Sequence, residues 1–501
     1  MRKHFPVKAV AMSENEGRRT FLKNSVAAAL AAGASGIAGA KALGAREKDA
    51  AAAKPVGPRP NIVLYMADQF RMDFVGANGH NGSTCTPNLD ALAARGKNFV
   101  HTVTNQPVCG PSRATFFSSR YATEAGVWEN GLALDRSLPT LAGELRKAGY
   151  TSNLIGKWHL AAVDERDENT MGPVRPEDRG GFLDLWEGAN TPELVSHPYY
   201  GKIWDRDGRP MSYHDQYRVD FLTDRAVRFL RQRQEQPFFL FISQLEPHQQ
   251  NDMHRPVAPH GYRDRYLNPW VPRDLRHLPG TWQDQLPDYY GCIQAIDESV
   301  GRVRQTLEEQ GLAENTIFAF VSDHGCHFMT RNTEYKRSAH ASSLRVPFIV
   351  DGPGFNGSQQ IQEVLGLIDV APTLLDAVGV PIPASWKGRS AFPLIGDAQA
   401  RSQWSNQQLI QISESLTGRA IHTKDWTYCV ADLSGTTDTP AVDVYHEYQL
   451  YDERNDPHEL VNLAGRMEYR AQAKELREQL LQLLAQAGES APDIQTAKVY
   501  P

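Results

Sequence analysis

The chain has 501 residues, 41 % hydrophobic and 22 % charged, which is room for one large α/β domain with an appendage or for two domains. A formal net charge of −6 and a pI near 6.3 leave no electrostatic footprint for nucleic acid or an anionic membrane, so any anion binding must come from a local cluster of cations. Five cysteines (85, 109, 292, 326 and 429), an odd number with no C-x-x-C spacing, argue against a disulfide framework and against a thiolate zinc site.

Arg18-Arg19-Thr20-Phe21-Leu22-Lys23 precedes an Ala/Gly-rich, weakly apolar run from Val26 to Ala40. This resembles a twin-arginine export signal, with small residues at Ala38 and Ala40 framing a possible cleavage site. The run is too short and too rich in Gly to span a bilayer well, so no stable membrane span is expected. Residues 1–45 therefore read as an address for the periplasm or the exterior, and 46–60 as a charged, then Pro-rich linker.

Asn61 opens the body of the chain. Ile62-Val63-Leu64-Tyr65-Met66 is an unbroken apolar run of strand length, as in a parallel sheet covered on both faces, and it stops at Asp68-Gln69. Thr86-Pro87 opens a helix. Cys109-Gly110-Pro111-Ser112-Arg113 reads as a loop-to-helix junction, since Pro suits a first helical turn. Pro139-Thr140 starts a helix through Ala148. Tyr150 to Ile155 reads as a strand ending in Gly156-Lys157-Trp158-His159, where the spacing puts Lys157 and His159 on one face. A helix is expected over Arg218 to Arg231, a strand over Pro237 to Ser243 ending in Glu246-Pro247-His248, and a long amphipathic helix over Asp288 to Gln310. Thr316 to Val321 is another buried strand, terminated by Ser322-Asp323-His324-Gly325, and Val346 to Val350 follows. Further on, Gln408–Ser413 and Ala420 to Val430 read as strands and Tyr469 to Ala487 as a closing helix.

Four apolar strands thus end in polar pairs: Asp68/Gln69, Lys157/His159, Glu246/His248 and Asp323/His324. Any one could be a capped loop. In an alternating β/α chain all four ends converge on the carboxyl edge of one sheet, where open α/β folds bind ligands.

The order of these strings resembles type I sulfatases of the alkaline-phosphatase-like superfamily. The resemblance rests on Asn61 to Gln69, Thr86 to Asp90, Cys109 to Arg113, Gly156 to His159, Ser322 to Gly325, Lys336, Leu344 to Pro347, and the stretch from Gln449 to Leu463. It implies an α/β fold with a large, mostly parallel sheet sandwiched by helices (61–395) and a smaller C-terminal α+β subdomain (396–501). It also implies that Cys109 is converted to formylglycine by a formylglycine-generating enzyme. A divalent metal would be held by Asp68, Gln69, the converted Cys109, Asp323 and His324. The commoner pattern has Asp where Gln69 stands and Asn where His324 stands, so this site is one carboxylate poorer. Hard oxygen ligands point to calcium, and the imidazole makes manganese the alternative. The resemblance further assigns catalytic roles to Arg113, His159 and His248, with Lys157, Lys336 and Asn130 on the sulfate ester.

The expected reaction is hydrolysis of a sulfate ester of a small molecule or an oligosaccharide. Aromatic and Arg/His-rich segments, Pro198 to Tyr213 and Gln249 to Arg276 (with His254, His260, Arg263, Arg265 and Trp270), are expected to rim the pocket. A phosphonate monoester or phosphodiester hydrolase of the same superfamily is the alternative. A silent glycan-binding homologue is a third reading, should Cys109 remain a thiol.

Overall fold

The computed structural model describes residues 59–78, 85–164, 166–232, 236–437 and 439–500; the expected export signal and most of the linker lie outside them. Among the described residues no helix is long and apolar enough to cross a membrane.

The strands of the main sheet come from the whole first part of the chain: β1 (Asn61–Asp68), β2 (Lys97–Phe99), then, past the short β3 (Thr102–Val103), β4 (Thr151–Lys157), β5 (Leu185–Ala189), β6 (Tyr200–Trp204), β7 (Pro210–His214), β8 (Phe238–Pro247), β9 (Thr316–Ser322), β10 (Phe348–Asp351) and β11 (Gln359–Ile361). They lie in the order β11-β2-β10-β9-β1-β8-β4-β5-β6-β7. The middle five, β9-β1-β8-β4-β5, are mutually parallel, with Ile62 opposite both Phe239 and Ile317. Because they are parallel, their carboxyl ends share one edge.

Alternation assigns Ile62, Leu64 and Met66 to one apolar layer and Val63, Tyr65 and Ala67 to the other. The first layer is covered by α2 (Cys109–Ser118) and α3 (Leu141–Lys147), through residues such as Phe117 and Leu145. The second is covered by α1 (Pro87–Arg95) and, past the single turn α4 (Pro192–Val195), by α5 (Arg218–Leu230), through Leu92 and Leu222. After the turn α6 (Arg273–Arg276) comes α7 (Trp282–Glu309) on the same face. The last begins at Trp282 rather than Asp288 and runs through Pro287. That proline is close enough to the N-terminus to forfeit one backbone bond without breaking the helix.

The turn α8 (Ala341–Leu344) precedes β10. The pair of β3 with β12 (Leu365–Gly366), helix α9 (Val370–Ala377) and helix α10 (Ala398–Gln403) lead to a second sheet. There β13 (Gln407–Ile412), β14 (Gly418–Thr423), β15 (Trp426–Ala431) and β16 (Val444–Asp452) pair antiparallel, and β17 (Asp493–Gln495) joins β16 in parallel. Helix α11 (Arg470–Gln486) packs Leu480 and Leu484 into that sheet's core. The two sheets are tied by polar bonds such as Asn105 Nδ2 to Leu409 O, 3.0 Å.

Candidate active site

The carboxyl edge of the five parallel strands delivers Asp68 from β1, Lys157 from β4 and Asp323 just past β9, and α2 starts directly above them. Cys109 is the first residue of that helix, and the whole helix is buried. Its orientation is fixed from both sides: Ser112 Oγ donates to Asp323 O at 2.6 Å, and Gly110 N donates to Asn130 Oδ1 at 2.9 Å.

Arg113, one turn on from Cys109, has no exposed surface. Its Nε meets Asp323 Oδ2 at 3.0 Å and its Nη2 meets Asp68 Oδ2 at 3.3 Å, while Nη1 donates to Ser243 Oγ at 2.8 Å. The guanidinium therefore braces the two carboxylates rather than reaching the open pocket. Lys157 Nζ lies 2.9 Å from Asp68 Oδ2 and 2.6 Å from Glu193 Oε1. Gln69 donates from its backbone N to Asp323 Oδ1 (3.1 Å) and from Nε2 to Cys326 Sγ (3.2 Å).

On the far side of Cys109 Sγ stand His324 Nε2 at 3.2 Å and Lys336 Nζ at 2.8 Å, with Asp68 Oδ1 at 3.6 Å. His248 Nε2 is 3.4 Å from Lys336 Nζ and 3.1 Å from the Tyr335 hydroxyl, and its Nδ1 donates to the carbonyl of Gln249. His159 lines the same pocket as Cys109, and its Nδ1 is 3.6 Å from Glu193 Oε1. The ten other residues expected at the site are thus gathered around Cys109. Glu246 is not: it pairs with Arg218 at 2.7 Å, and only His248 from that strand end enters the pocket.

The electrostatics favour an anion at the tip of residue 109. Burial pushes the Cys109 thiol up, but Lys157, Lys336 and His324 outweigh it and hold it well below the ordinary thiol range. Burial and the Cys109 sulfur likewise push Asp68 up, and Lys157, His248 and His324 reverse this, so its carboxyl stays low. Asp323 moves the other way, raised by burial and by the Asp68 charge beside it.

The donor set suits a divalent cation. Ligand atoms of Asp68, Cys109, Asp323 and His324 lie within 4.8 Å of one another, all buried. His324 Nδ1 faces the Gly325 carbonyl at 2.9 Å; a carbonyl only accepts, so Nδ1 carries the proton and Nε2 is directed at the cluster as a ligand. Gln69 Oε1 is buried with no hydrogen-bond partner, while its amide nitrogen donates to Cys326. An orphaned carbonyl beside two buried carboxylates is what a hard cation satisfies.

The pocket over Cys109, about 420 Å³, is walled by Asn130, Glu193, Leu194, Tyr335, Arg337 and Glu414, among others. Of the segments expected to rim it, only Asn251 does so, while Pro198 to Tyr213 carries β6 and β7, which extend the far edge of the sheet. His254, His260, Arg263, Arg265 and Trp270 are not among its lining residues. Arg263 instead pairs with Asp288, and Trp270 borders a different cavity. Sequence reasoning missed Glu193 and Tyr335. Glu193 follows β5, a fifth strand end at the same edge, hidden because Leu185–Ala189 contains a Glu and a Gly and lacks an apolar run. Tyr335 immediately precedes Lys336 and had no pattern of its own.

An open α/β sheet with an acid, imidazole and lysine cluster at its carboxyl edge fits a metal-binding hydrolase. The chain belongs to the sulfatase family, whose profile matches residues 60–380, and the profile for the N-sulphoglucosamine sulphohydrolase C-terminal region matches 333–486. It is similar to the arylsulfatase of Clostridium perfringens (31 % identical over 484 residues, 85 % of this chain and 94 % of that one). It is also similar to an ulvan-active sulfatase of Formosa agariphila (28 % over 451 residues, 86 % and 82 %). A solved structure from a Bacteroides thetaiotaomicron locus for glycosaminoglycan metabolism shares the fold, with a TM-score of 0.74 at 22 % identity over 86 % of this chain and 97 % of that one. The protein is accordingly a sulfatase, an enzyme that hydrolyses sulfate esters.

Proposed function

We propose that the protein is an exported sulfatase acting on sulfated carbohydrates, with Cys109 converted to formylglycine and calcium as its metal. The observation that carries the chemistry is Lys336 Nζ 2.8 Å from the tip of residue 109 with Lys157 alongside on Asp68, cations placed where negative charge must be accommodated. The carbohydrate assignment rests on the polar pocket walls and on the ulvan-active relative, and the export on the twin-arginine pattern.

Asp68, Gln69, Asp323, His324 and residue 109 would hold the cation, which with the hydrated aldehyde supplies an oriented, activated oxygen nucleophile in place of a thiol. Arg113 keeps Asp68 and Asp323 apart at fixed orientation and offsets their charge. Lys336 and Lys157 neutralise the sulfate oxygens as charge gathers on them, in a site with no bulk water to do so. Asn130, pinned through Gly110 N, borders the ester. His248 donates a proton from Nε2 to the departing sugar oxygen, with the Lys336 ammonium alongside. His159 then accepts the proton that must leave residue 109 for sulfate to depart, with the Glu193 carboxylate 3.6 Å from its Nδ1.

The test pairs two measurements on the mature protein. The peptide spanning Cys109 should be lighter than its unconverted form by about 18 Da, a change outside the ladder of ordinary thiol oxidation. A panel of defined sulfated sugars, run beside a phosphodiester, should show turnover chiefly of sugar sulfates. An unconverted cysteine in active protein, or a phosphodiester turned over faster than every sulfate, would overturn the reading.

A further inference from the structure

A second cavity, of about 480 Å³, lies where α6 and the Met72 turn face α8 and the His458 loop of the C-terminal subdomain, and it shares no lining residue with the catalytic pocket. It repeats one feature of that pocket. In the catalytic pocket His159 Nδ1 and Glu193 Oε2 are buried without a hydrogen-bond partner; here Ser342 Oγ, Arg345 Nε and Glu459 Oε1 are. The clefts bordered by Leu134 and by Asp224 contain no such atom, and the one bordered by Asn88 contains Arg304 Nη1 alone.

The charge balance is uneven. Arg71 is bracketed by Asp274 at 3.0 Å and Asp73 at 2.6 Å, which occupies the carboxylates on that wall. Arg345 bonds only a backbone carbonyl, that of Val100, and has no carboxylate within 4 Å among the described residues. This half-buried guanidinium has a buried, unpartnered Nε and no carboxylate in direct contact, and an oxyanion with two acceptor oxygens satisfies its fork. Arg273 and Arg276 stand exposed at the mouth and likewise lack an ion-pair partner. Burial and the neighbouring Glu453 raise the Glu459 carboxyl well above its usual range, which weakens the one other acidic group on this wall. The half-buried indole of Trp270 and the ring of Pro272 supply an apolar wall. The volume suits one or two sugar rings.

We propose that this cavity is a non-catalytic subsite for an anionic sugar unit, its sulfate or carboxylate on Arg345, Arg273 and Arg276 and its ring against Trp270. The site stands independently of the chemistry at Cys109. Calorimetric titration of the Cys109→Ala protein with a sulfated disaccharide, its unsulfated counterpart and inorganic sulfate tests it, the substitution keeping the ligand intact. Two binding events are expected for the sulfated disaccharide, and adding Arg273→Gln with Arg276→Gln should weaken one of them at least tenfold and leave the other. The same two substitutions in the active enzyme should leave turnover of a small aryl sulfate unchanged. A single event in Cys109→Ala, or two events unmoved by the arginine substitutions, would overturn the subsite. So would inorganic sulfate competing at the second event as well as the disaccharide does, because the cavity would then be reading a free anion and not a sugar.

Discussion

Around Cys109 single atoms have divided duties. Arg113 is the clearest case: as a fully buried cation it would be costly alone, but two carboxylates and the Ser243 hydroxyl absorb its donors, so it sets the spacing of Asp68 and Asp323. Asp323→Ala would leave that guanidinium half-paired and remove a ligand at once. Metal retained after desalting, measured by elemental analysis, is expected to fall to trace level and the melting temperature to drop; wild-type metal content would remove Asp323 from the ligand set. His248 is tied through Nδ1 to its own loop, which directs Nε2 into the pocket. A general acid matters most when the leaving oxygen is basic. His248→Ala is therefore expected to slow sugar sulfates by roughly a hundredfold or more and activated aryl sulfates by less than about tenfold. Equal losses on both classes would end its role as the acid.

At the scale of elements, the site works because strands and helix starts are held in register by positions where only one residue fits. Gly156 is such a position. Its φ is +108°, and a Cβ there would lie 1.9 Å from the Ser243 carbonyl on the neighbouring strand. This bend lets β4 turn Lys157 inward beside β8, whose Ser243 hydroxyl holds Arg113. Gly156→Ala should cost on the order of 3 kcal/mol, from strained φ and a backbone clash. The expected readouts are a lowered melting temperature and a fall in kcat for the protein that still folds; wild-type stability would show that the strands can part without penalty. Much of this was legible in the sequence, because buried parallel strands announce themselves as apolar runs and their polar ends as interruptions. Asp68, Lys157, His248 and Asp323 could be placed that way. What stayed hidden followed from tertiary pairing. β5 pairs only because β4 is beside it, so Glu193 went unseen, and the segment rich in His, Arg and Trp after Gln249 looked like a rim of this pocket although Arg255 and Arg263 in it are spent on Asp288 and Trp270 and Arg273 border a different cavity.

At the scale of the whole molecule, the catalytic sheet and the C-terminal sheet are joined by buried polar groups, and one of them is a carboxyl raised above its usual range. Glu459, 2 % exposed, accepts a hydrogen bond from Ala341 N at 2.8 Å, and Arg331 clasps the carbonyls of His458 and Glu459. Burial, then the Glu453 carboxylate beside it, raise the Glu459 carboxyl well above its usual range. The native state therefore keeps a proton that the unfolded chain releases once the pH passes about 4.3. The stability associated with that proton is fully present below that pH and is lost as pH rises toward the folded value, because the unfolded state then binds fewer protons. Glu459→Gln keeps an oxygen for Ala341 N and an N–H for Glu453 while removing the titration. The melting temperature of the variant relative to wild type is therefore expected to rise from pH 5 to pH 8, with the two nearest at the acidic end. A difference that stays constant across that range would mean that Glu459 ionises without cost and that the joint between the two sheets does not sense pH.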